Sequence, residues 1–178
     1  MKFRKVLFSL TKNFVKHNVR YALIGGFSLF AFGIPRTTVD LDFLIHRDDL
    51  KKLDEIMKNL GYKLIFRTEN VSQYVGKNRE LGGIDVIHSF RKYSLEMLAR
   101  ARLWKVEDIS LKVLQPEDII GLKVQAIANK PERKNRELAD IESILEKFSK
   151  NIDWELLKEY FHLFGFDKDF NELRKRYG

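Results

Sequence analysis

Two aspartates, Asp40 and Asp42, interrupt the apolar run VDLDFLI, and a third, Asp85, interrupts GGIDVIHSF. On an extended chain alternate residues share a face, so Val39, Leu41, Phe43 and Ile45 point one way while Asp40 and Asp42 point the other. Two residues of rise separate their Cα atoms by roughly 6.6 Å, close enough for both carboxylates to bind one cation. Without a cation they repel, and Asp is disfavoured in strands in any case. A wet face on an edge strand is the bland alternative for this pair. A neighbouring strand carrying Asp85 would gather three carboxylates, an arrangement that needs a divalent ion. Hard oxygen donors suit Mg²⁺ rather than zinc. By itself Asp85 reads as a turn residue after Gly82 and Gly83, and it gains force only beside the other two.

The stretch YALIGGFSLF supplies a complementary half. A strand that turns through glycines into a helix points backbone N–H groups outward, and glycine lets a phosphate approach without meeting a Cβ. Gly25 and Gly26 are therefore candidate phosphate-cradling positions, with Ser28 adding a hydroxyl in the first turn. A tight turn alone also explains such a pair. Neither G-x-x-x-x-G-K-[ST] nor G-x-G-x-x-G occurs, so any phosphate is held by another device. The histidines have no metal-ligand spacing, and neither H-E-x-x-H nor G-x-S-x-G is present, which argues against zinc hydrolysis and esterase chemistry.

These residues need elements to position them. Phe3, Val6, Leu7, Leu10 and Phe14 recur at helical spacing. A strand at 21–24 leads through the glycines into a helix that stops at Gly33, with Pro35 beyond. A strand follows at 39–45, then a helix capped by Asp48 and stopped by Gly61. Strands come next at 62–66, 71–75 and 84–87. From Pro116 onward four apolar stripes mark helices, separated in part by the basic connector 129–136. The expectation is an α+β protein: a mixed β-sheet flanked by helices over residues 1–115, then a helical C-terminal portion over 116–178 packed on it.

Composition is compatible with that. The chain has 178 residues, 44% of them hydrophobic, enough for a substantial core. It contains no cysteine, so neither disulfides nor thiolate zinc sites hold it together. The basic start MKFRK has too short an apolar stretch for a signal peptide, and no run is long enough to span a membrane, which suggests a cytoplasmic protein without a membrane partner. A net charge of +8 biases encounters toward polyanions.

Together the apolar-Gly-Gly of Ile24, Gly25 and Gly26, the Asp-apolar-Asp-apolar of Asp40 to Phe43, and the apolar-Asp-apolar of Ile84 to Val86 resemble the signature of the DNA polymerase β-like nucleotidyltransferase superfamily. The segments GIPRTTVDLDFLI, QPEDIIGLKVQAI and RELADIESIL are similar to one branch of it, the abortive-infection toxin nucleotidyltransferases and related uncharacterised prokaryotic proteins. The resemblance runs from about residue 20 to 148. It implies transfer of a nucleoside monophosphate from a nucleoside triphosphate to a hydroxyl, with pyrophosphate released. In its terms Asp40 and Asp42 ligate one or two Mg²⁺ ions, Asp85 is a metal ligand or base, and Gly25, Gly26 and Ser28 cradle the β and γ phosphates. Arg36 matches the branch and would reach a phosphate, or brace its loop. Thr38 orders the same loop. Lys123, in an otherwise apolar helix, reaches toward the triphosphate or pairs with a carboxylate, and Arg136 and Asp140 are lesser candidates that a helical i, i+4 ion pair also explains. Relatives use a tRNA end, a protein hydroxyl or a small molecule as acceptor, and a toxin would have a cognate antitoxin. A non-catalytic nucleotide- or RNA-binding module that kept the fold is the alternative.

Overall fold

The computed structural model describes residues 1–106 and 109–178, which divide into two compact units, Met1–Leu114 and Gln115–Gly178. The first contains helix α1 (Phe3–Lys16), strand β1 (Tyr21–Ile24), helix α2 (Gly25–Ala31), strand β2 (Leu41–His46), helix α3 (Leu50–Asn59), strands β3 (Tyr62–Arg67), β4 (Val71–Gly76) and β5 (Gly83–Ser89), helix α4 (Lys92–Arg100), and strands β6 (Arg102–Val106) and β7 (Ile109–Val113). The seven strands form one mixed sheet in the order β3-β4-β5-β2-β1-β7-β6. β2 runs parallel to β5 and β1 parallel to β7; the other neighbours are antiparallel.

Alternation along β2 fixes the layers. Phe43, with Tyr21 of β1, faces α1, where Phe14 meets both rings at centroid distances of 5.4 and 5.0 Å. Phe14, Phe43 and Leu23 are fully buried, so this face is closed by apolar contact and the opposite face of β2 carries the polar residues.

At the other edge a polar network ties β3 and β4 to α3. Arg67 donates to both carboxylate oxygens of Asp54 at 2.9 and 2.7 Å, and Tyr74 donates to the same carboxylate at 2.6 Å. Arg67 also donates to Ser72 Oγ, which lies 2.7 Å from His88 Nε2. Ser72 is wholly buried, so this Ser–His contact is structural.

Below α3, Asp49 accepts from the Arg20 backbone N–H at 2.9 Å, from Arg20 Nε at 2.7 Å and from Lys52 at 3.0 Å. Burial pushes the Asp49 carboxyl up, but these donors outweigh it and hold it well below the usual carboxylate range. A depressed carboxylate stabilises the fold above its unfolded value near 3.9 and stops doing so as pH falls through the folded value. Asp49→Ala is therefore expected to lower stability by about 3 kcal/mol at neutral pH. Its deficit against wild type should shrink below about pH 4 in urea titrations; a deficit independent of pH would mean that packing, not charge, accounts for the loss.

The second unit is helical: α5 (Pro116–Asn129), α6 (Lys134–Phe148), α7 (Trp154–Leu163) and α8 (Asp167–Tyr177). Residues 129–136 do not form an open connector. They close through a 3₁₀ turn at Pro131–Arg133 into the first turn of α6. Gly121 of α5 lets Tyr160 of α7 pack close, since a Cβ there would stand 2.7 Å from the ring, and Tyr160 donates to the buried Asp118 at 2.6 Å. No helix among the described residues is long and apolar enough to cross a membrane.

Candidate active site

The parallel pairing of β2 with β5 sets Asp42 opposite Asp85, and the rows on either side continue it, Ile24 beside Asp42 and Gln73 beside Asp85. Paired residues on adjacent strands share a face and stand about 4.8 Å apart along the hydrogen-bonding direction. The two carboxylates thus project from the same side of the sheet. Asp40 lies just ahead of β2, with its carboxylate over Gly83: a Cβ on that glycine would come within 2.6 Å of Asp40 Oδ1. Gly83 and Asp85 are two apart on β5 and point the same way, so all three aspartates come to one end of one face.

Electrostatics at Asp85 carry the imprint of that convergence. Burial raises the carboxyl above its ordinary value, a hydrogen bond donated by Gln73 at 3.1 Å opposes this, and the charge of Asp40 raises it further. The site disfavours its own negative charge. Three half-buried carboxylates fit a hard divalent cation in charge and donor type. They have not closed into a ligand set, however: among the described residues no group of three or more His, Cys, Asp or Glu is drawn together tightly enough to hold a metal ion.

The glycine elbow makes room for the side chains beside it. Gly25 has φ +68°, and a Cβ there would overlap Asp42, 2.0 Å from Oδ2. A Cβ on Gly26 would press on Thr38 at 3.0 Å. Each glycine therefore admits a neighbouring side chain, Asp42 in one case and Thr38 in the other. Ser28 is fully buried, and its hydroxyl donates to the Gly25 carbonyl at 2.7 Å, fastening the first turn of α2. Thr38 donates to the Asp40 carbonyl at 3.0 Å, which orders the approach to β2. Arg36 donates to the Thr37 carbonyl at 3.2 Å, and its stem lies 3.8 Å from the Cβ position of Gly26.

Lys123 belongs to the second unit. It is buried on α5, and its ammonium donates to Glu137 at 3.0 Å and Asp140 at 2.6 Å on α6. Two carboxylates compensate the cost of burying this cation. The arginine that reaches the cluster is Arg133, bonded to Glu137, one turn before the exposed Arg136. Gln73 and Gly83 were not apparent as site residues from sequence; only the strand register reveals them.

Known structures share this architecture. The antibiotic-resistance factor ANT(2'')-Ia in solution superposes with a TM-score of 0.68 at 14% identity, covering 100% of both chains, and its crystal complex with adenylyl-2''-tobramycin gives 0.67 at 12%, covering 98% of each. The lincosamide antibiotic adenylyltransferase LnuA, bound to lincomycin, gives 0.59 at 15%, covering 79% of this chain and 94% of that one. A putative nucleotidyltransferase from Thermotoga maritima gives 0.55 at 13%, covering 79% and 96%. At such identities the likeness concerns the fold. None of the curated protein sequences matches the chain. A family model described as uncharacterised nucleotidyltransferase matches residues 3–172, nearly the whole chain, and the chain belongs to that family.

Proposed function

We propose that the protein transfers a nucleoside monophosphate from a nucleoside triphosphate to a hydroxyl acceptor and releases pyrophosphate, with Asp40, Asp42 and Asp85 as its Mg²⁺-binding catalytic residues. The observation that carries the reading is the register of β2 against β5. It sets Asp42 beside Asp85 on a face that also receives Asp40 and that raises the Asp85 carboxyl. Bound Mg²⁺ would neutralise the triphosphate and polarise the α-phosphate.

In the reaction the acceptor oxygen attacks the α-phosphorus, a new P–O bond forms, and the bond to the β-phosphate oxygen breaks, with pyrophosphate carrying away the electron pair. Asp85 takes the proton of the attacking hydroxyl, a role suited to a carboxylate whose basicity burial has increased. Backbone N–H groups near Gly25 and Gly26 hold the leaving phosphates, with Arg36 as a further cation there. Ser28 supports this elbow through its bond to Gly25. Lys123 serves the triphosphate only if ligand binding draws it from Glu137 and Asp140.

ANT(2'')-Ia and LnuA are named for antibiotic chemistry, so an antibiotic acceptor belongs in the test panel beside total tRNA and lysate protein. Each labelled triphosphate is incubated with Mg²⁺ and each acceptor. Label transfer by wild type, reduced at least a thousandfold in Asp42→Ala and abolished by chelation, is the expected result. A wild type that binds triphosphate tightly but labels nothing would identify a binding module. The toxin-like role has its own readout: induced expression arrests growth, and Asp42→Ala relieves the arrest.

A further inference from the structure

We infer that the outer side of α1 forms a binding groove for single-stranded nucleic acid, a site separate from the three aspartates. Three cavities of about 350, 520 and 240 Å³ run in succession along this helix. Phe3 and Arg4 line both the first and the second, Phe8 lines both the second and the third, and Ile109 of β7 borders all three. They form one path. The 14-residue helix rises 1.5 Å per residue, so the path is about 21 Å long.

Its chemistry alternates cations with rings. Lys5, Phe8, Lys12 and Val15 occupy one helical stripe at spacings of three and four, and all are exposed, Phe8 by 53%. Lys12 Nζ sits 6.0 Å from the Phe8 ring centroid, and Phe3 stacks on Phe27 at 5.4 Å and 23°. α1 contains no Asp or Glu; Glu107 and Asp108, which precede Ile109 in the chain, lie outside the described residues. Lys2, also at the border, is paired with Glu80 at 2.7 Å. Basic side chains that follow a phosphate backbone, interleaved with rings that accept bases by stacking, are what an unpaired strand needs. A duplex hides its base faces and would use only the charges. An acidic peptide would likewise leave the rings unmatched. At one end the groove reaches Arg36, Thr38 and Phe27, the first two of which stand beside Gly26.

The test is fluorescence anisotropy with labelled single-stranded RNA and DNA of the same mixed sequence and with the matched duplex. EDTA and the absence of triphosphate keep the measurement independent of nucleotidyl transfer. The expected result is that RNA, DNA or both bind as single strands more tightly than as duplex. Lys5→Gln and Lys12→Gln should each flatten the slope of log K against log salt by about 0.7. Phe8→Ala should weaken binding roughly tenfold at fixed salt and leave that slope unchanged. Because Phe8 lies outside the core, an unaltered melting curve will show that its variant is folded. The inference is overturned if no single strand binds, if duplex binds as well as single strands, or if Phe8→Ala has no effect. Competition by polyglutamate or by phosphatidylserine vesicles with the same dependence on Phe8 would also overturn it. Loss of transfer activity alone bears only on the aspartates.

Discussion

Asp85→Asn is expected to lose nucleotidyl transfer by about a thousandfold or more, equivalent to roughly 4 kcal/mol of transition-state stabilisation, and yet to melt no lower than wild type in EDTA. The ionised Asp85 works against the fold. Burial and the neighbouring Asp40 both raise its carboxyl, so the folded chain holds that proton to a higher pH than the unfolded chain does. Above its folded value the charge is a net destabilisation. Asparagine keeps the shape and can still accept the Gln73 hydrogen bond while removing the charge. Asp49, buried among Arg20 and Lys52, has the opposite sign, and its neutralisation should weaken the protein. Mg²⁺ should raise the melting midpoint of wild type but not that of Asp85→Asn. A variant melting several degrees lower, or one that retains transfer, would make Asp85 a structural acid.

Gly25→Ala is the second change with a large expected effect. Its Cβ would lie 2.0 Å from Asp42 Oδ2 in a backbone with φ +68°, so steric conflict and left-handed strain combine to about 3 kcal/mol, and transfer should fall with the displaced carboxylate. The two contributions separate in a double-mutant cycle. Adding Asp42→Ala to Gly25→Ala removes the conflict and leaves the strain, so the pair should be about 1–2 kcal/mol more stable than the sum of the single changes. Strict additivity in chemical denaturation would show that the glycine is needed for its backbone angle alone.

Sequence alone revealed β1 to β5 because they are short apolar runs, alternating at 39–45, that are bounded by glycine or polar turns. The strand expected at 39–45 is β2 at Leu41–His46, and the segment expected at 84–87 is the core of β5. The four C-terminal stripes match α5 to α8 because each keeps a 3.6-residue period. Residues 92–113 gave no such signal, and α4, β6 and β7 went unseen. RLWKV breaks its alternation at Leu103 and Trp104, and ISLKV, though it alternates, is only five residues long with no Gly, Pro or Asn just before it to mark a turn. Candidate site residues were legible by type, but their partners were not. Gln73 meets Asp85 only because β4 pairs with β5 in one register, and a one-residue slip would turn it to the opposite face. Lys123 illustrates a different limit: an isolated cation in an apolar helix announces that it needs an anion, while the choice of Glu137 and Asp140 depends on how α5 and α6 pack.

The join between β1 and β7 has a mechanical consequence. Among the described residues its ladder rests on one register pair, Leu23 with Val113, next to a long 3.4 Å bond from the Leu114 amide to the Leu23 carbonyl, whereas β2 and β5 share six pairs. Local opening costs least where the fewest bonds must break together. Parting the sheet at this join would therefore break fewer ladder bonds than parting β2 from β5, and the five strands from β3 to β1 hold the aspartates in register without it.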